Sequence, residues 1–160
     1  ACPSTTTAAT QYDCPSGTYS TGNQSSCITC PAGFACPNTN ANTKVACTSG
    51  TFAYAGSVNC TTCPAGMQCP SADGSQNAPC IEGYYSVGSQ TTCTECSAGE
   101  ACPNTHSGAS IMCVAGTYSV AGQTSCTVCP RGNACPSTIS ATMIACVAGT
   151  YSEGGRSVCV

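Results

Sequence analysis

No apolar stretch in this chain follows the 3.6-residue spacing of a helix face. Its cysteines instead recur with a period of 33 residues. Adding 33 to Cys14 gives Cys47, Cys80, Cys113 and Cys146. The same step links Cys27, Cys60, Cys93, Cys126 and Cys159. It also links Cys30, Cys63, Cys96 and Cys129, and again Cys36, Cys69, Cys102 and Cys135. The unit is C-x12-C-x2-C-x5-C-x10-C, and of the 19 cysteines only Cys2 stands off register. A fixed period of this size is the signature of a repeat protein. It divides the chain into a partial repeat at 1–13, full repeats at 14–46, 47–79, 80–112 and 113–145, and a partial repeat at 146–160.

Polar and small residues fill the unit in an equally regular way. Gly17, Gly50, Gly83, Gly116 and Gly149 each lie three residues after a first cysteine, followed two residues later by Tyr19, Phe52, Tyr85, Tyr118 or Tyr151. Glycine there predicts a turn with a backbone angle other residues avoid. The aromatic is expected to lie on the adjacent disulfide as the largest apolar contact of its unit. Proline follows every fourth-class cysteine, at Pro37, Pro70, Pro103 and Pro136, and follows Cys2 at Pro3. It favours extended geometry at the cysteine before it. The predicted elements are short strand pairs, turns and loops, with little or no helix.

Composition explains why cysteine dominates. The chain has 160 residues, no Trp and two Phe, and Ser and Thr make up roughly a quarter of it. Such a chain cannot build a sufficient hydrocarbon core, so covalent staples must replace the missing burial. Three basic and six acidic residues give a net charge of −3, which carries no basic footprint for nucleic acid. There is no apolar run long enough to span a membrane. Cysteine density implies an extracellular or cell-surface setting. Residue 1 already lies in the cysteine pattern, so the sequence reads as a mature form or an excised segment.

The four C-x-x-C pairs admit three chemistries. A redox pair sits at a helix start in a βαβ pattern, whereas Ser, Thr, Gly and Pro flank these. Zinc would need basic neighbours to offset four thiolates, and the chain offers only Lys44, Arg131 and Arg156, with a single histidine. The structural reading remains, with the two cysteines belonging to successive disulfides. His106 lies in a turn-like PNTHSG stretch without a partner in sequence, and reads as a surface residue. Asp13, Asp73, Glu82, Glu95, Glu100 and Glu153 are scattered singly, and Arg131 reads as a solvated replacement of an Ala. No catalytic residue, metal site or cofactor is expected, because an enzyme site needs unlike groups converging. Asn23 and Asn59 head N-x-S/T sequons and are candidate N-glycan acceptors. The runs at 4–7 and 5–10 are candidates for O-linked sugar.

The stretches CPSGTYSTGNQSSCITCPAGFACP and CVAGTYSVAGQTSCTVCPRGNACP resemble the cysteine-rich repeats of ciliate immobilisation antigens, which are surface-coat proteins. Their C-x-x-GTYS and C-x-x-C-P core is similar to the wider ephrin-receptor-like repeat class. It is more distantly similar to the first loop of tumour-necrosis-factor-receptor modules. The receptor-module resemblance implies that first joins second cysteine, as Cys14–Cys27, with third then joining fourth, as Cys30–Cys36. A rival scheme interlocks repeats through Cys30–Cys47 and Cys36–Cys60, and sequence leaves both open. Either scheme predicts an elongated rod of 33-residue units. The functional expectation is an extracellular structural protein, part of a coat or filament and bearing glycans. The alternative is a receptor or adhesin ectodomain, which calls for an unusual aromatic or charged cluster on one face. Nineteen cysteines is an odd number, so one is an orphan: Cys2 under local pairing, Cys14 under interlocked pairing. Joining Val160 of one chain to Ala1 of the next places Cys159 and Cys2 at C-x-x-C spacing, so head-to-tail continuation is expected, either within a longer polypeptide or between identical subunits.

Overall fold

A computed structural model of the chain describes residues 13–22, 24–37, 44–103, 108–139 and 143–160. Sixteen strands of two residues each form two-stranded ribbons, and no helix occurs among the described residues. Two ribbon types alternate. The first type closes the GTYS loop: β1 (Thr18–Tyr19) pairs antiparallel with β2 (Ile28–Thr29), Tyr19 opposite Ile28. The second type closes the ten-residue loop: β3 (Phe34–Ala35) pairs antiparallel with β4 (Val45–Ala46), Ala35 opposite Val45. Shifted by the repeat, β5 (Thr51–Phe52) pairs with β6 (Thr61–Thr62), and β7 (Met67–Gln68) with β8 (Ala78–Pro79). Next, β9 (Tyr84–Tyr85) pairs with β10 (Thr94–Glu95), and β11 (Glu100–Ala101) with β12 (Ile111–Met112). Then β13 (Thr117–Tyr118) pairs with β14 (Thr127–Val128), and β15 (Asn133–Ala134) with β16 (Ile144–Ala145). Ribbons of two residues a side are far too short to be stable alone.

Among the described residues nine disulfides hold them. Cys14–Cys27 brackets the first ribbon and recurs as Cys47–Cys60, Cys80–Cys93, Cys113–Cys126 and Cys146–Cys159. Cys30–Cys36 recurs as Cys63–Cys69, Cys96–Cys102 and Cys129–Cys135. Both types pair locally, so every bridge lies inside one repeat and the interlocked scheme is not the one present. The third–fourth bridges are the core: Cys30 and Cys96 have no exposed surface, and their equivalents are almost as deep. Small Ala35, Ala101 and Ala134 fill the space beside them.

The aromatic ring expected to dominate each unit does not. Phe52 is buried, but Tyr19, Tyr85 and Tyr118 are only half-buried and Tyr151 is exposed. The most deeply buried side chains are instead the compact cystines of the third–fourth bridges.

The chain divides into two compact units. The first draws on Ala1–Pro64, Gln68–Ala78 and Gly88–Thr92; the second draws on Ala65–Met67, Pro79–Val87 and Cys93–Val160.

Candidate functional site

Within each unit, what recurs besides the bridges is the way one repeat grips the next. In the first unit Gly33 N–H donates to Ala53 O at 2.9 Å and Cys36 N–H to Ser57 O at 3.0 Å. In return Gly56 N–H donates to Cys30 O at 2.8 Å. Cys69 N–H to Gln90 O and Ser89 N–H to Cys63 O follow at 3.1 and 2.8 Å. In the second unit Gly66, Gly99 and Gly132 donate to Ser86, Ser119 and Ser152 carbonyls, and Cys102 and Cys135 to those of Gln123 and Arg156. There Gly122 and Gly155 donate back to Cys96 and Cys129. Every one of these bonds is main chain to main chain, so the bonds themselves call for no particular side chain.

Close approach accompanies the bonds. Gly17 has φ +77°, and the carbonyl oxygen of Gly56 in the next repeat occupies the place a Cβ would take. The same contact joins Gly50 to Ser89, Gly83 to Gly122, and Gly116 to Gly155. Glycine is therefore demanded twice at this position, by its backbone angle and by the neighbouring repeat. The turn signal was visible in the sequence; the close approach was not, because it involves a residue 39 positions away.

The candidates that fall on described residues have definite places. The two cysteines of a C-x-x-C belong to successive disulfides, as Cys27 to Cys14 and Cys30 to Cys36, so neither is a thiolate ligand nor a redox partner of the other. Among the described residues no three His, Cys, Asp or Glu side chains come together as a metal site. Asn59 is exposed at a bend beside Cys60. Cys2, Asn23, His106 and the Ser/Thr runs at 4–10 lie outside the described residues.

Arg131 is not merely solvated: its Nε donates to Glu153 O at 3.2 Å, a side-chain tie from one repeat to the next. Glu95 also faces the next repeat, since a Cβ on Gly122 would lie 3.0 Å from its Oε1. Thr29 and Val128 hold the equivalent place against Gly56 and Gly155.

One cluster breaks the uniformity. Phe52 and Tyr54 meet edge to face at 5.4 Å, and a Cβ on Gly74 would lie 2.8 Å from the Tyr54 ring. Gly74 is held by an Asp73 turn. The Asp73 carboxylate accepts from Ser71 Oγ at 2.6 Å, Ser75 N–H at 3.0 Å and Ser75 Oγ at 2.8 Å. These bonds, the Ser71 hydroxyl first, lower the Asp73 pKa from 3.8 to about 2. The available signal was Tyr54 itself, which stands where other repeats have Thr21, Val87, Val120 and Glu153. In the same unit the Lys44 ammonium lies 4.5 Å from the Phe34 ring centre and 5.8 Å from that of Tyr19, both within cation–π range.

Nine disulfides in 160 residues mark a secreted or extracellular type of protein. Among the described residues no helix is long and apolar enough to cross a membrane. Set against protein-family models and against curated proteins, the chain matches none of them.

Proposed function

We propose that this chain is a non-enzymatic structural protein, a repeat segment of a cell-surface coat or filament that assembles head to tail. The observation that carries the reading is the junction. Its recurring hydrogen bonds are main chain to main chain, and they impose no limit on how many repeats follow one another. Disulfides inside each repeat suit a durable exterior material, because local bridges survive even where a junction opens. The resemblance to ciliate surface-coat antigens points the same way. Glycans on Asn23 and Asn59 would decorate such a surface, and Asn59 is exposed. Electron microscopy of native material tests the proposal. Filaments or a regular coat are expected; dispersed single particles would overturn it.

The alternative, a receptor or adhesin ectodomain, gains one specific observation. The Phe52–Tyr54–Gly74 cluster is peculiar to one repeat, with Tyr54 exposed beside an ionised Asp73 loop. A glycan array probed with the chain and with Tyr54→Ala separates this reading. Binding lost in the variant favours a binding module.

A further inference from the structure

Of the two sequons, only Asn59-Cys60-Thr61 runs through a bridged cysteine. The fold pins this triplet from three directions. Two residues before it, the Ser57 carbonyl accepts from Cys36 N–H of the previous repeat at 3.0 Å. In its middle, Cys60 is tied to Cys47, with 5.6 Å between their Cα atoms. At its end, Thr61 stands in β6 opposite the buried Phe52 of β5. Asn59 itself is exposed. A ribbon of two residues a side does not hold without its bridge, so the open-bridge triplet is unpaired chain. A glycosyl transferase has to draw the whole triplet into its own site. Unpaired chain allows that; closing Cys47–Cys60 withdraws it.

We propose that Asn59 is an N-glycan acceptor gated by Cys47–Cys60: sugar is added only while that bridge is open, and the bridge then closes with the glycan in place. The proposal deepens the glycan part of the reading above and rests on it. In the transfer, Asn59 Nδ2 loses a proton and bonds to the anomeric carbon of a saccharide carried on a lipid pyrophosphate, and the lipid pyrophosphate leaves. In the closure, Cys47 and Cys60 give up two thiol protons and two electrons to a disulfide oxidant of the secretory compartment. The order runs one way. An exposed Asn59 leaves room for sugar above a closed bridge, whereas a closed bridge withholds the triplet from the transferase. The two reactions compete closely in time. Cys47 lies 13 residues before Cys60, so it has already emerged from synthesis when Cys60 does, and the triplet is complete one residue later, at Thr61. Bringing the ends of so short a loop together takes about 100 ns. Thiol exchange, and with it the oxidant, therefore sets the rate of closure. Occupancy at Asn59 records how oxidising the compartment is while the chain emerges.

The test expresses the 160-residue chain through the secretory pathway of a eukaryotic cell, with Asn23→Gln so that a single glycan reports on Asn59. Total and secreted chains are sized with and without glycosidase. Cys47→Ser keeps the Asn59-Cys60-Thr61 triplet but removes its bridge, and is expected to raise the glycosylated fraction at least about twofold. Removing the other bridge of the same repeat, with Cys63→Ser and Cys69→Ser together, disturbs folding without freeing Cys60 and is expected to leave the fraction unchanged. Peptide mapping of the glycosylated chain that still has Cys47 should find Cys47–Cys60 closed. Equal occupancy with and without Cys47, or an equal rise when the Cys63–Cys69 bridge is removed, overturns the gate while leaving Asn59 an acceptor. A glycosylated form whose Cys47–Cys60 bridge stays open overturns the one-way order. An Asn59 that is empty in every variant overturns the acceptor itself, and with it that part of the reading above.

Discussion

The two compact units use the same ribbons, the same bridges and the same junction bonds, yet they present different surfaces. The first holds both phenylalanines, the Tyr54–Gly74 contact and the Lys44 pair over Phe34 and Tyr19. Among the described residues it exposes three large hydrophobic ones: Ile28, Val45 and Tyr54. Among its described residues the second exposes fourteen, including Ile81, Ile111, Met112, Val114, Ile144 and Val147. Cystine cores and main-chain junctions explain how both are possible. With neither the core nor the junction built from large side chains, surface residues are released from structural duty and can diverge from repeat to repeat.

The harshest way to break the comparison is to remove what the units share. Full reduction should erase amide protection in both units together, because each bridge contributes on the order of 2–5 kcal/mol. Hydrogen exchange with and without reductant measures this. If the first unit kept its protection, its aromatic cluster would be a true core and the cystine account would fail there.

A sharper cut goes to the junction glycines. Gly50→Ala in the first unit and Gly116→Ala in the second should each cost at least about 3 kcal/mol, since a strained backbone angle is combined with displacement of a neighbouring carbonyl. Gly149→Ala carries the same angle but meets nothing, and should cost only about 1–2 kcal/mol. Denaturant unfolding under oxidising conditions gives all three. Equal losses would mean that backbone angle alone matters and that the close approach is incidental.

Smaller effects separate the units. Tyr54→Thr removes an aromatic edge contact and should cost about 1–2 kcal/mol, with the loss of protection confined to the loop around Gly74. The same change at the equivalent Val120 should cost about 0.5 kcal/mol or less. The smallest effect is that of pH on the Asp73 turn. Its folded pKa, about 2, lies below the ordinary 3.8, so its contribution is complete above pH 4 and is lost as pH falls towards 2. The Ser75 amide shift should report that loss, and Asp73→Asn should abolish the titration.

Cysteine spacing announces the repeat because sulfur chemistry tolerates no slippage, and the turn glycines announce the ribbons for the same steric reason. The junction leaves almost no trace in the sequence, because main-chain hydrogen bonds require no particular side chain. Only the Gly17 series hints at it, and a turn alone was enough to explain that series. Arg131 reads as solvated until Glu153 O appears beside it, 22 residues on. Ring size does not set depth: Cys30 and Cys96 have no exposed surface, while the repeat aromatics run from buried Phe52 to exposed Tyr151. Tyr54 was passed over because its partner Gly74 lies in a different loop.

Bridges inside repeats and hydrogen bonds between them are the centre of this account, and disulfide mapping of the unreduced protein tests it most directly. Digestion followed by mass spectrometry should find Cys30 linked to Cys36, Cys47 to Cys60, and their equivalents throughout both units. A peptide joining Cys30 to Cys47, or Cys36 to Cys60, would show covalent links between repeats and contradict it.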